Sequence, residues 1–152
     1  MIVRPGKPNA ATTSCFSGVI REPLHGVDCV LPVDRSLPHT VTSARAIITN
    51  LVLLHDAVWP EGLVGRAVTL PSIPCTLGDL VKSMHRVIAP EDHVKLGKVT
   101  DNADPFLNKV VSGMACKYMD HSRALRLGLV EVPDTDTMVR EFLEYQSGWC
   151  SL

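Results

Sequence analysis

Two short segments of this sequence carry side chains that could move a proton and hold an anion. In one of them, His39 follows a proline in a predicted loop, and Ser43 and Arg45 stand just downstream at the start of a predicted helix. An imidazole is the usual general base near neutral pH, and a guanidinium beside a helix N-terminus stabilises a carboxylate or an enolate. The segment therefore predicts His39 and Arg45 as catalytic residues and Ser43 as a substrate contact. The alternative interpretation is a loop histidine followed by a serine that caps the helix.

The other segment follows the first predicted strand, at residues 2–4. It contains Arg4, Lys7, Asn9, Thr13 and Ser14, which we predict to bind substrate. Ligands of open α/β sheets bind beyond the carboxyl ends of the strands, and free amides at a helix start favour an anion. The alternative interpretation is a basic loop whose hydroxyl groups only cap the next helix. We expect one site between residues 7–14 and residues 38–45.

Motifs for phosphate, metal and nucleophile chemistry are absent from the sequence. There is no P-loop, HExxH or GxSxG motif, and a single GxxG at residues 62–65 is predicted to be a loop. The five cysteines are scattered and form no CxxC pair, which predicts free thiols in a reducing compartment and no zinc site. We therefore expect neither a metal nor a cofactor.

The composition is that of one ordinary globular domain spanning residues 1–152. The chain is 45% hydrophobic and 20% charged, with a formal net charge of −1, so a nucleic-acid-binding surface is not expected. The most apolar stretch, residues 47–59, is too short and too polar to span a membrane. The N-terminus has no apolar signal-peptide core, and we predict a cytoplasmic protein.

Predicted helices alternate with short predicted strands, which is typical of an α/β protein with small mixed layers. The helices are predicted over 10–20, 43–57, 76–88, 104–114, 120–128 and from 134 onward, and the strands over 2–4, 27–33, 40–42, 66–70, 94–96 and 116–119. The helix over 43–57 is apolar almost all round, which predicts burial on more than one side. Together with an unpaired edge on the first strand, it predicts a homodimer.

Residues 4–24, with the sequence RPGKPNAATTSCFSGVIREPL, resemble a segment of the extended short-chain dehydrogenases. The similarity is to the NAD-dependent epimerase/dehydratase group that contains the D-erythronate dehydrogenase-like enzymes. Residues 42–46, 70–79 and 120–128 extend the resemblance more weakly, so that it covers essentially the whole chain. It implies the fold of the family's substrate-binding half, with Asn9, Thr13, Ser14, Ser43 and Arg45 as pocket residues.

The resemblance implies that the family's nucleotide-binding half would precede Met1. That half would carry a glycine-rich fingerprint and a Tyr-x-x-x-Lys pair. Here Tyr118 is followed four residues later by Ser122, and Tyr145 by Trp149, so neither supplies the lysine. The sequence therefore predicts no binding of NAD or NADP by this chain.

The function predicted from these observations is a cofactor-independent isomerase, cyclase or lyase that acts on a small oxygenated metabolite. A role in secondary metabolism is expected for such an enzyme. His39 would move the proton, and Arg45, Lys7 or Arg4 would stabilise the negative charge. Two alternatives stay open. The chain could be a non-catalytic ligand-binding or regulatory module, or it could be one half of a split NAD-dependent dehydrogenase.

Overall fold

The computed structural model describes residues 1–9, 11–62 and 64–149, the last three by their backbone only. The described residues form five short strands and six helices, in the order β1 (Ile2–Val3), α1 (Cys15–Leu24), β2 (Cys29–Leu31), β3 (His39–Ser43), α2 (Ala44–Asp56), β4 (Ile73–Cys75), α3 (Leu77–Val87), β5 (Val99–Asp101), α4 (Pro105–Gly113), α5 (Ser122–Arg126) and α6 (Thr135–Trp149). The predicted α/β class with small mixed layers is confirmed.

The strands form two small sheets. In the larger sheet β3 lies between β1, to which it is parallel, and β4, to which it is antiparallel. The register places Val3 beside Ser43, so the carboxyl ends of β1 and β3 lie side by side. The second sheet pairs β2 with β5 in parallel. The strands predicted over 66–70, 94–96 and 116–119 were wrong, because the chain there forms loops and a 3₁₀ turn.

Helix α1 differs from its prediction at both ends. A 3₁₀ turn over Thr12–Ser14 precedes it, and it continues through Pro23 to Leu24 instead of ending before the proline. Pro23 removes one hydrogen bond of the last turn, and the helix ends at the next residue; beyond it, Gly26 adopts a left-handed φ of +71° and donates its N–H to the carbonyl of Pro23. This extra turn brings Arg21 and Glu22 into the helix.

The core lies between the larger sheet and helices α1, α3 and α6. Helix α3 begins with the predicted capping box, in which Thr76 and Asp79 each accept a hydrogen bond from the other's backbone N–H. Its apolar stripe is buried against α1 and α6. The fully buried side chains of the three helices are Phe16, Val19, Ile20, Leu77, Leu80, Met84, Met138, Val139 and Phe142.

Helix α2 is less buried than its sequence predicts. Only Ala46 and Asn50 are buried, while Ile48, Leu51 and Val52 are more than half exposed. The chain therefore covers one face of this helix and leaves its outer face open.

Within the described residues, no helix is long and apolar enough to cross a membrane. The same part of the chain holds no group of three or more His, Cys, Asp or Glu residues that could bind a metal ion. The thiols of Cys15, Cys29, Cys75 and Cys116 are unpaired, and Cys150 lies outside the described residues. The cytoplasmic location stays a prediction.

Candidate functional site

The loop between β1 and α1 folds against α1 and encloses a small polar pocket of about 80 Å³. The pocket is lined by Ile2, Arg4, Asn9, Ala11, Thr13, Ser14, Ser17 and Arg21. The structure thus brings together four of the residues predicted to bind substrate, namely Arg4, Asn9, Thr13 and Ser14.

Local hydrogen bonds hold this loop in place. The side chain of Asn9 accepts a hydrogen bond from the backbone N–H of Ala11 at 3.1 Å, which forms an Asx turn. The N–H of Ser14 then donates to the carbonyl of Ala11, and the N–H of Arg4 donates to the hydroxyl of Ser17 on α1 at 3.1 Å. These contacts fix both ends of the loop against the helix that forms the pocket floor.

Arg21 is the central charged group of this region. Its guanidinium donates to both carboxylate oxygens of Glu22, at 2.7 and 3.0 Å, and to the carbonyl of Gly6 at 3.3 Å. These bonds use three of its five N–H groups. The residue is only 7% exposed, yet its side chain also borders two larger concavities on either side of the loop.

One of these concavities, about 350 Å³, is bordered by polar residues and thiols that include Asn9, Ser14, Cys15, Asp28 and Cys29. The other, about 440 Å³, is largely apolar. It is lined by residues 5–8, which include Lys7, and by Arg21, Glu22, His25, Val27, Phe142 and Gln146. We call the polar pocket and the two concavities together the β1–α1 groove. All five residues predicted to bind substrate in the segment after β1 line this groove, namely Arg4, Lys7, Asn9, Thr13 and Ser14.

The groove combines cations, the carboxylates of Glu22 and Asp28, and neutral hydrogen-bonding groups. Arg21, Arg4 and Lys7 supply the cations, and Thr13, Ser14 and Ser17 supply hydroxyls. Burial raises the pKa of the Cys15 thiol, and raises the pKa of Cys29 to about 11, so both stay neutral near pH 7. The arrangement suits a small hydroxylated anion better than covalent chemistry at a thiol.

His39 lies apart from this groove. Its side chain sits in β3 with 1% exposure and packs edge-on against the ring of Phe16, with 5.0 Å between ring centroids. Neither ring nitrogen has a hydrogen-bond partner among the described residues. Burial lowers the pKa of His39, and this effect outweighs the opposing contribution of the Met114 backbone. The imidazole is thus enclosed by the described residues, and its catalytic role stays a prediction.

Ser43 and Arg45 are held by structural contacts of their own. The Ser43 hydroxyl accepts the N–H of Ala46 at 3.1 Å and caps α2, as the alternative interpretation predicts. The Arg45 guanidinium donates to Glu144 at 2.5 Å, lies 5.5 Å from the Tyr145 ring centre, and lines neither the polar pocket nor the two concavities beside it. The hydrogen bond to Glu144 raises the pKa of Arg45. The single site expected between the two segments is thus not formed by these side chains.

Arg21, Ser17 and Glu22 were not among the predicted site residues. Pro23 was expected to end the helix about one turn before its observed end, which left Arg21 and Glu22 outside the predicted helix. The signal that marks Arg21 and Glu22 is a pair of opposite charges directly after a mostly apolar run, Phe16 to Ile20, because charges next to a buried face are buried only when they are paired.

No protein family model matches the chain. It is 28% identical over 147 residues to the D-erythronate dehydrogenase of Haemophilus influenzae, covering 94% of this chain and 44% of that protein. It is 32% identical over 142 residues to the D-erythronate dehydrogenase of Cupriavidus necator, covering 93% and 43%. Its fold superposes on a crystal structure of the nucleoside-diphosphate-sugar epimerase from Agrobacterium tumefaciens with a TM-score of 0.79 and 26% identity, covering 96% and 42%.

The match extends over nearly all of this chain, but the chain spans less than half the length of each of these relatives. The sequence matches and the structural match point to the same kind of protein. Both agree with the resemblance predicted from residues 4–24, the segment that contains the β1–α1 loop and helix α1. The chain is therefore similar in sequence and in fold to one half of the extended short-chain dehydrogenases, and it fits their C-terminal half.

Proposed function

We propose that this chain is the substrate-binding part of an extended short-chain dehydrogenase, and that the β1–α1 groove holds a small polyhydroxylated carboxylate such as erythronate. The observation that carries the proposal is the position of Arg21. Its nearly buried guanidinium borders a pocket whose other polar groups come from the loop and from α1. A buried, fixed guanidinium is well suited to bind a carboxylate through paired hydrogen bonds.

The contacts of Arg21 fix its geometry before a ligand arrives. Glu22 occupies one edge of the guanidinium and Gly6 a further N–H, so the plane of the group cannot rotate freely. Two N–H groups remain for a ligand. Because the side chain is already ordered, ligand binding costs less conformational entropy than it would at a free surface arginine.

The charges around the groove give the ligand an orientation. Arg4 and Arg21 flank the polar pocket, whereas Asp28 borders the concavity on the other side of Asn9 and Ser14. We expect the carboxylate to lie toward the two arginines and the hydroxyl groups to lie toward Asp28. The names of the two curated relatives support a hydroxy acid as the substrate class.

The isomerase, cyclase or lyase reaction predicted from the sequence depended on His39 as the base. That role of His39 stays a prediction, and no observation on the described residues favours the non-redox reaction over the dehydrogenase-type function. The binding-module and split-dehydrogenase alternatives both require the same groove. Hydride transfer also needs a nicotinamide. The prediction that this chain alone binds neither NAD nor NADP is tested by calorimetric titration, and sub-millimolar binding would contradict it.

Saturation-transfer NMR with the 152-residue chain tests the proposal. D-erythronate is compared with erythritol, which keeps the hydroxyl pattern but has no carboxylate. We expect erythronate to bind and erythritol to bind about tenfold or more weakly, because a charge-assisted hydrogen bond contributes about 1.5–3 kcal/mol.

Thr13→Val and Ser14→Ala change groove hydroxyls, and Thr100→Val is the matched control on the exposed strand β5. The two groove variants should weaken erythronate binding several-fold while the control leaves it unchanged. Equal binding of erythronate and erythritol, or equal effects of Thr13→Val and Thr100→Val, would refute the groove as a carboxylate site.

A further inference from the structure

We infer that the apolar concavity beside Arg21, about 440 Å³ in volume, is a subsite for a phenyl-sized apolar group of the ligand. The apolar concavity lies between the loop of residues 5–8, the end of α1 and helix α6. The inference rests on the proposed function and narrows its substrate class to hydroxy acids with an apolar end, because erythronate carries no group that suits this space.

The size and lining of the apolar concavity are those of a small-molecule site. Its volume is more than five times that of the polar pocket, which is about 80 Å³. Small-molecule sites measure about 300–1,000 Å³ and combine mostly apolar walls with a few polar groups. A ligand made only of hydroxyls and a carboxylate leaves such walls in contact with water, whereas an apolar group on the ligand removes them from water.

The fold holds the apolar walls in place before a ligand binds. Phe142 on α6 is 2% exposed and lines the concavity from the side of the core. Val27 is 55% exposed, and its backbone N–H donates to the carbonyl of Glu22 at 3.0 Å. Pro5 and Pro8 line the concavity from the loop, and the proline ring fixes the backbone φ at both positions. The walls are therefore preformed.

Arg21 joins the apolar concavity to the polar pocket. Its side chain lines both spaces, and its guanidinium donates to the carbonyl of Gly6 at 3.3 Å. Gly6 has a left-handed φ of +98°, which glycine adopts readily, and this turn holds the loop beside the guanidinium. A carboxylate bound at Arg21 therefore lies where the two spaces meet. With Asp28 on the remaining side, the three parts of the groove match the carboxylate, the apolar group and the hydroxyls of one ligand.

His25 and Gln146 order the rim of the apolar concavity. Nδ1 of His25 lies 2.7 Å from the carbonyl oxygen of Arg21, which can only accept, so Nδ1 carries the proton and donates it. Nε2 of the neutral ring then accepts a hydrogen bond from the side-chain amide of Gln146 at 2.7 Å. Because both side chains are placed before a ligand arrives, binding costs less conformational entropy.

An apolar side chain of a partner protein is the competing occupant of this space. Lys7, Arg21 and Glu22 all line the apolar concavity, so a protein that covered it would take three charged groups out of water. Charged residues are depleted at the centre of protein interfaces for this reason. A small ligand enters from the open side and leaves the exposed Lys7 in water. The charges therefore favour a small molecule.

Three ligands test the subsite by calorimetric titration of the 152-residue chain. D-erythronate is the reference. Phenylglycerate keeps its carboxylate and two of its hydroxyls and has a phenyl ring in place of the terminal hydroxymethyl group. Phenylethylene glycol keeps the ring and two hydroxyls but has no carboxylate. We expect phenylglycerate to bind at least about tenfold more tightly than D-erythronate, because the concavity removes the ring from water.

A pair of valine variants locates this gain in the apolar concavity. Val27→Asn places an uncharged polar group there, and Val94→Asn, at a residue 87% exposed and outside the groove, is the matched control. Val27→Asn should weaken phenylglycerate binding about fivefold or more, because it replaces apolar surface against the ring. It should leave D-erythronate binding unchanged, which also shows that the variant is folded, and the control should alter neither.

The inference and the proposed function can fail separately. Equal affinities of phenylglycerate and D-erythronate, or equal effects of the two valine variants, would overturn the inference and leave the proposed function intact. Binding of phenylethylene glycol that depends on Val27, without binding of either acid, would refute the carboxylate site and support the apolar subsite. No binding of any of the three ligands by the folded chain would overturn both.

Discussion

The segments that follow β1 and β3 start from neighbouring positions but form different structures. The two strands are parallel and end side by side, and each leads into a helix. After β1, residues 4–14 separate the strand from α1, and their side chains enclose the polar pocket. After β3, α2 begins at the very next residue, so Ser43 is used as its cap and Arg45 is bound to α6.

The difference shows that chain length between strand and helix decides whether polar residues remain available to a ligand. A loop of several residues can fold back over its helix and leave hydroxyls and amide groups facing a cavity. A strand joined directly to a helix must supply its polar groups to the helix end, which would otherwise leave unsatisfied N–H groups. The four predictions below test this contrast, beginning with the largest expected effect.

Arg21→Ala should have the largest effect on both folding and binding. It removes a nearly buried guanidinium from Glu22, whose carboxylate is 29% exposed, so the loss should be about 1.5–3 kcal/mol. Denaturant unfolding measures the loss. Arg21→Lys keeps the charge but not the paired geometry, so it should stay folded and still weaken erythronate binding about tenfold. A folded Arg21→Lys with unchanged affinity would remove Arg21 from the site.

His39→Leu should change the pH dependence of stability and leave ligand binding intact. Burial lowers the pKa of His39 in the folded state, so the unfolded chain takes up the proton first as the pH falls below about 6.5. Stability is therefore full above that pH and is lost on acidification toward the folded pKa, by up to about 1.4 kcal/mol per pH unit.

Chemical unfolding at pH 7.5 and pH 5.5 measures this effect, with His55→Ala as the control because the His55 side chain is exposed. The leucine variant should lose less stability than the wild type between the two pH values, and His55→Ala should behave like the wild type. The same pH dependence in wild type and His39→Leu would show that His39 is not the group responsible.

Ser43→Ala and Ser14→Ala form a matched pair, since each serine directly precedes a helix. Ser43 caps α2 through its hydroxyl, and its loss should cost about 1 kcal/mol with no change in binding. Ser14 makes no capping hydrogen bond to α1 among the described residues, so Ser14→Ala should weaken binding with little change in stability. Thermal unfolding measures the stability of both variants, and NMR titration measures their erythronate binding. A stability loss in Ser14→Ala together with a binding loss in Ser43→Ala would reverse the comparison of the two segments.

Arg45→Ala should have the smallest effect. Its pair with Glu144 is well exposed, and such pairs contribute about 0.2–1 kcal/mol, less at high salt. Ligand binding should be unchanged, in contrast to the large loss predicted from the sequence. A loss of affinity comparable to that of Arg21→Lys would place Arg45 in the site after all.

The class of the fold was predicted from the sequence, and the residues predicted after β1 line the groove, while their role as substrate contacts stays a prediction. Asn9, Thr13 and Ser14 were identified because hydroxyl and amide side chains after a short strand cluster near its carboxyl end. The cap at Thr76 and the strand over 40–42 were confirmed because local patterns determine them. Strand β5 was missed because its pairing with β2 joins residues about 70 positions apart, as Cys29 with Val99.

Burial was the harder quantity to predict. Strand β3 has the sequence HTVTS and is buried along its whole length, so polar residues there resembled an exposed segment. The imidazole of His39 could therefore not be distinguished from a site residue by its type alone. Arg21 was missed for a different reason. The proline that follows Glu22 indicated an earlier helix end than the one observed, so Arg21 was placed outside the helix.

The most direct test of the central claim is a two-dimensional amide NMR titration of the chain with D-erythronate. It asks which of the two neighbouring segments contacts a small hydroxylated carboxylate. The account predicts that shift changes concentrate at residues 4–9, 11–14 and 17–22, and that they disappear with Arg21→Lys. Shift changes confined to residues 38–45, or none at all with the folded wild type, would contradict it.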